Sequence, residues 1–240
     1  MEFSTTMSNT HRTFCRGFLD CSPFILVVAP FGLLFGVAAA EPGLDLIQTM
    51  SMTILVIAGA AQFTALALID DHTPTFIVIL VSLVVNLRMA MYSAALVPHL
   101  GKAPLKTRML ASYFMVDQTF AVSIRQYEHT PQWPIKEKLA YYFGAATSIC
   151  PFWYGFSLLG ALIGKAITES YALDFAIPIC FISLVAPMLR SLPHLAAALV
   201  SITMALLLAW MPYNLWLLVA AVAAMMAGAR TELWLKEHQT

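Results

Sequence analysis

The chain has 240 residues, 60% of them hydrophobic and only 11% charged, with a formal net charge of +0, a pI near 7.0 and a mean hydropathy of +0.78. Soluble domains run nearer about 45–50% apolar and about 25% charged, so this balance excludes a soluble globular enzyme. With no basic tail or patch and no glycine-rich nucleotide motif, it also excludes nucleic acid as a partner.

The composition predicts an all-α polytopic membrane protein, filled by about seven or eight hydrophobic helical segments of roughly 20 residues each. It reads as a single transmembrane domain over 1–240. Residues 1–21 form an N-terminal cytoplasmic segment, 22–229 the membrane bundle and 230–240 a cytoplasmic tail. His11, Arg12, Arg16 and Asp20 precede the first apolar run, 22–40. No convincing small-residue cleavage site follows before Glu41-Pro42-Gly43, so the run reads as an uncleaved first span.

The second segment, 47–69, contains Ala58-Gly59-Ala60-Ala61-Gln62-Phe63 and closes at Asp70-Asp71-His72. The third, 75–97, contains Asn86-Leu87-Arg88 and Tyr92 and closes at Gly101-Lys102-Ala103-Pro104. The fourth, 109–126, contains Asp117-Gln118 and Phe120 and closes at Thr130-Pro131-Gln132-Trp133-Pro134. Segments 139–164, 172–189, 195–211 and 213–229 follow, and Pro178 and Pro187 lie inside the sixth. Proline and glycine mark the ends, where the helix ladder must stop. Cys15, Cys21, Cys150 and Cys180 have no CxxC spacing and read as small hydrophobes, so no metal or other cofactor is expected.

Lysine and arginine set the orientation of short-looped membrane proteins. Arg12 and Arg16 lie at the N-terminus and Arg230 and Lys236 at the C-terminus, which puts both termini inside. The connections at 41–46 and 70–74 carry only acids. If all eight segments crossed fully, however, Asp70-Asp71 would face inside and Lys102, Lys106 and Arg108 outside, against the bias. The conflict disappears if 47–69 and 109–126 are broken or re-entrant, entering from opposite faces with inverted pseudo-symmetry.

The intramembrane polar residues are the candidate site. Asp117 sits in an apolar stretch, where an unpaired carboxylate costs about 2.5–3.5 kcal/mol on insertion scales, so it needs a partner. Arg88 is the best one: a planar guanidinium grips a carboxylate in two-pronged fashion, whether that of Asp117 or of a substrate. Tyr92 shares its helix face four residues on. Gln62 and Gln118 offer amide donors and acceptors, while Gly59 permits close backbone approach. Phe63, Phe114, Phe120 and Trp153 are candidates for lining an apolar pocket. Pro178 frees a carbonyl upstream and reads as a kink or gate. The competing reading of each residue is interhelical packing or a structural ion pair.

Taken together, Gly59-Ala60-Ala61-Gln62-Phe63, Asn86-Leu87-Arg88 with Tyr92, and Asp117-Gln118-Thr119-Phe120-Ala121 resemble the AzlC family, the large subunits of bacterial branched-chain amino acid exporters. The likeness runs over roughly residues 14 to 230 in the same order. It implies export of valine, leucine, isoleucine and methionine across the bacterial inner membrane, with a small AzlD-type membrane subunit as partner. One position departs: the family commonly has an acid where this chain has Gln118, which weakens any proton-coupled mechanism.

The expectation is therefore a secondary exporter and not an enzyme. His72, His99, His129 and His194 lie in connections or at segment edges, and no HExxH or GxSxG occurs. A non-transporting scaffold subunit or a channel is the alternative. Small-residue faces such as Gly155 to Gly164 suit an oligomer as well as internal packing.

Overall fold

A computed structural model describes residues 3–164, 189, 191–211 and 216–237. Every regular element among them is a helix. Helix α1 (Phe3–Cys21) passes through a short 3-10 turn (Ser22–Phe24) into α2 (Ile25–Ala38). There follow α3 (Leu46–Leu55), α4 (Gly59–Asp70), α5 (Thr75–Val85), α6 (Arg88–Leu100), α7 (Leu105–Tyr113), α8 (Asp117–His129) and α9 (Ile135–Gly164). Helices α10 (Leu192–Leu208) and α11 (Trp216–Glu237) complete the described set.

Among the described residues, three apolar stretches are long enough to cross a bilayer: Asn9–Ala38, Thr75–Leu100 and Ile135–Gly164. The 30-residue stretches are about 45 Å long at the α-helical rise. The all-α polytopic fold expected from composition is the observed one. The expected start of the first segment at residue 22 coincides with the end of α1, and the apolar stretch long enough to cross extends back through α1 to Asn9. Gly17 and Cys21 are buried there.

The chain divides into two compact units. One holds α1–α3, the start of α4 and α6–α9; the other holds the end of α4, most of α5, α10 and α11. In the second unit Gly228 of α11 lies against Ala197 and Pro193 of α10.

The first unit is organised by α9, which packs along α1 and α2 through a seam of glycines. A Cβ added at Gly17 would run into the Tyr141 carbonyl, and one at Gly144 into that of Phe14. Further along, a Cβ at Gly36 would strike the Ser157 carbonyl and one at Gly160 that of Leu33. Without a hydrophobic force between helices in lipid, such close backbone approach is what holds them together.

Both segments expected to break do so, each through three non-helical residues. Helix α3 opens with a capping box, in which Asp45 Oδ1 accepts from the Gln48 amide at 2.7 Å and Gln48 Oε1 accepts from the Asp45 amide at 2.9 Å. It stops at Val56 (φ −136°, ψ 99°), and α4 starts at Gly59. Helix α7 stops at Tyr113, and α8 restarts after Val116 (φ −124°, ψ 164°). A third break, not expected from the sequence, separates α5 from α6 at Asn86-Leu87. There the Met89 and Ala90 amides turn back to the carbonyls of Asn86 and Leu87 at 3.0 and 2.9 Å. Asparagine loosens a helix because its side chain competes for backbone partners.

The α7–α8 hairpin enters and leaves at the same end of the unit. His99 in the last turn of α6 lies 3.4 Å from Lys138 Nζ at the start of α9. Tyr127 near the end of α8 donates to the Lys138 carbonyl at 2.6 Å, and Tyr142 donates to the Ala111 carbonyl of α7 at 2.7 Å. Arg16 of α1 reaches Gln126 at 3.3 Å at that end too. Arg16, Lys102, Lys106, Arg108, Arg125, Lys136 and Lys138 therefore gather at one end. Glu41 and Asp45 follow α2 at the other, where Gly164 lies against Val37. Returning α7–α8 to its end of entry puts the basic connections on both sides of it together, which removes the conflict in the charge pattern at those connections.

Candidate functional site

Arg88 is the first residue of α6 and Asp117 the first residue of α8. Each stands twelve residues from the basic end of its own helix, a depth of about 18 Å. The two charges meet there, with Arg88 Nη1 at 3.1 Å from Asp117 Oδ2 and the side chains 32% and 40% exposed. One turn along both helices, the Tyr92 and Phe120 rings stack at 4.1 Å with 10° between their planes. The i,i+4 spacing on α6 and the i,i+3 spacing on α8 set the ion pair and the stack side by side.

The pair keeps hydrogen-bonding capacity in reserve. Arg88 Nε, Asp117 Oδ1 and Asn86 Oδ1 are buried atoms with no hydrogen-bond partner among the described residues. Neither helix start is capped by a side chain; the Met89 and Ala90 amides of α6 turn back to the Asn86 and Leu87 carbonyls, while α8 begins after the extended Val116. A carboxylate at the start of α8 suits the helix dipole, whereas a guanidinium at the start of α6 opposes it. An anion at Arg88 would therefore be drawn by both the side chain and the helix end.

Gln62, Gly59 and Phe63 belong to a second cluster, at the start of α4. Gln62 is buried and donates from Nε2 to the Met52 carbonyl at 3.2 Å, tying α4 back to α3, while its Oε1 has no hydrogen-bond partner among the described residues. Phe63 lies 4.8 Å from Phe31 and 5.7 Å from Phe35, and Trp153 is about equally close to both of those rings at 6.0 and 5.9 Å. Gly59 faces Phe31 and Trp153 so closely that a Cβ would approach them to 2.9 and 3.1 Å. Gln118 is half-buried beside Asp117, and Pro178 lies outside the described residues. Cys21 and Cys150 are buried and Cys15 half-buried.

Sequence reasoning missed the residues that join the two breaks. Tyr113, last in α7, donates to the Ile54 carbonyl at the end of α3 at 2.6 Å and meets the Tyr154 hydroxyl of α9 at 2.9 Å. One side chain thus satisfies a terminal carbonyl of one broken segment from the tip of the other. The only signal was Tyr113, a tyrosine immediately before the unwound stretch that leads to Asp117. Phe31 and Phe35 were likewise hidden among fifteen phenylalanines.

The model of the AzlC protein family matches residues 23–167. The chain belongs to the AzlC family. The AzlC match takes in both breaks, the Arg88–Asp117 pair and the glycine seam between α2 and α9. The chain is 28% identical to an uncharacterized membrane protein of Archaeoglobus fulgidus over 225 residues, covering 92% of this chain and 94% of that one. It is 27% identical to an uncharacterized membrane protein of Helicobacter pylori over 71% of this chain and 75% of that one. It is also 24% identical to the inner membrane protein YgaZ of Escherichia coli, over 71% of each. No solved structure matches the chain.

Proposed function

We propose that this AzlC-family membrane protein is a secondary exporter of small apolar amino acids of the branched-chain type. In this reading it works in the bacterial inner membrane with a small AzlD-type subunit. One observation carries the proposal: opposite charges at two helix starts, 3.1 Å apart, half exposed and with unused hydrogen-bonding atoms, about 18 Å from the basic end.

A zwitterionic amino acid carries the same two charges as the pair and can exchange with it. The guanidinium of Arg88 takes the substrate carboxylate in two-pronged fashion. Asp117 takes the ammonium group, with the Gln118 amide beside it. The aliphatic side chain rests against the Tyr92–Phe120 stack. When substrate leaves, the pair closes again, so neither charge is left bare at a depth where each would cost about 2.5–3.5 kcal/mol. A pair serving stability alone gains little from its charges, whereas a partly exposed one can be reached by ligand.

The chain carries no ATP-binding motif, so the substrate gradient or the proton gradient supplies the drive. With glutamine at 118, Asp117 is the acid through which a proton would pass. In this reading the excess of lysine and arginine at one end of the first unit puts that end on the cytoplasmic side.

Vesicles containing the chain, with and without the small subunit, test this by efflux of labelled leucine across imposed pH gradients. Efflux that requires both proteins is expected. Leucine retention unchanged under every condition would overturn the reading.

A further inference from the structure

The basic end of the first unit holds a cleft of about 380 Å³, whose lining residues on α8, Val122 to His129, lie further along that helix than Asp117 and differ in chemistry from the Arg88–Asp117 pair. It is lined by Arg16 and Asp20 of α1, by Val122, Arg125, Gln126 and His129 of α8, and by Tyr141 of α9. We propose that it binds the phosphodiester headgroup of an anionic membrane lipid.

The charges are arranged for an anion. Asp20, the one acid in the lining, is occupied: Tyr141 donates to its Oδ2 at 2.8 Å and Arg16 Nε lies 3.6 Å from the same oxygen. Arg16 also holds Gln126 Oε1 at 3.3 Å, which fixes its guanidinium across the cleft. Arg125 has no carboxylate partner among the described residues, so its charge is available to a ligand. The carbonyl end of α8 works against an anion, and Thr130 offsets part of this by donating its amide and hydroxyl to the Gln126 carbonyl at 3.0 and 2.8 Å. A planar guanidinium suits phosphate oxygens, and basic pockets between membrane helices hold acidic headgroups.

The height of the cleft points to lipid and not to a free solute. Trp133 lies at its rim, with the Arg16 guanidinium 6.0 Å from its ring and Tyr141 at 6.0 Å on another side. A tryptophan beside arginines at the end of membrane helices marks the headgroup layer. The lipid's acyl chains would then continue down the exposed apolar surface that includes Leu19.

Native mass spectrometry of the delipidated full chain, titrated with phosphatidylglycerol or phosphatidylcholine, tests the proposal. Phosphatidylglycerol should bind more tightly than phosphatidylcholine, and Arg125→Gln should weaken it about fivefold, the scale of one surface arginine on an acidic headgroup. Arg16→Gln should do the same. Arg108→Gln, a basic residue at the same end but outside the cleft, should change nothing. Equal binding of the two lipids, or a phosphatidylglycerol preference untouched by Arg125→Gln, would overturn the proposal. Thermal stabilisation by inorganic phosphate that matches that of the lipid and is lost in Arg125→Gln would overturn the lipid assignment in favour of a soluble anion.

Discussion

Arg88 and Asp117 occupy equivalent positions, each first in a helix that begins in the middle of the bundle, but the helix dipoles treat them differently. Asp117 is stabilised by the start of α8, while Arg88 is held at the start of α6 against the field and depends more on its partner. Removing either partner leaves the other charge short of an interaction. A charge-assisted contact of this kind contributes about 1.5–3 kcal/mol. Because both side chains are partly exposed, the stability lost should be at the lower end, with assembly retained. Asp117→Asn and Arg88→Gln should therefore still purify as folded protein by size exclusion, yet lose leucine efflux about tenfold or more. Variants that fail to insert or fold, with any residual protein transporting normally, would mean that the pair is structural. Tyr92→Leu should act more mildly, since a ring stack contributes about 0.5–1.5 kcal/mol beyond burial.

Among the elements, the broken helices and the glycine seam divide the work. The seam fixes α1, α2 and α9 by backbone contact and leaves α7–α8 to carry chemistry at its tip. Gly160→Val puts a branched side chain where the Leu33 carbonyl already stands and should cost about 1–3 kcal/mol, read as a lower unfolding temperature. Gly155→Ala, with nothing within 4 Å of its would-be Cβ, should leave that temperature unchanged. Two of the breaks were legible because their residues announce them: Ala58-Gly59-Ala60-Ala61 has little to hold a helix, and Asp117-Gln118 cannot sit in lipid without a partner. The break at Asn86-Leu87 was not, since one asparagine between apolar runs reads as a polar decoration on a continuous helix. The tie from Tyr113 to Ile54 depends on two tips meeting 59 residues apart, which no local pattern records.

At the scale of the molecule, charge placement governs the energetics of the proposed cycle. The basic connections on either side of α7–α8 gather at one end only because that hairpin returns on itself. In the proposed cycle the pair is neutral when closed and neutral again around a zwitterion. A membrane potential, worth about 2.3 kcal/mol per charge per 100 mV, then has no net charge to act on in the substrate step. Leucine exchange between vesicles without a pH gradient should change less than about twofold when a potassium diffusion potential is imposed, within the factor that a small residual field effect allows. A steep dependence would show that an unpaired charge moves. The division of labour between the two side chains is tested most directly by the binding of leucine, of 4-methylpentanoate, which lacks the amine, and of isopentylamine, which lacks the carboxylate. Asp117→Asn should lose leucine and the amine but keep the acid, and Arg88→Gln should lose leucine and the acid but keep the amine. If both variants treat the three ligands alike, the two residues do not share the zwitterion between them.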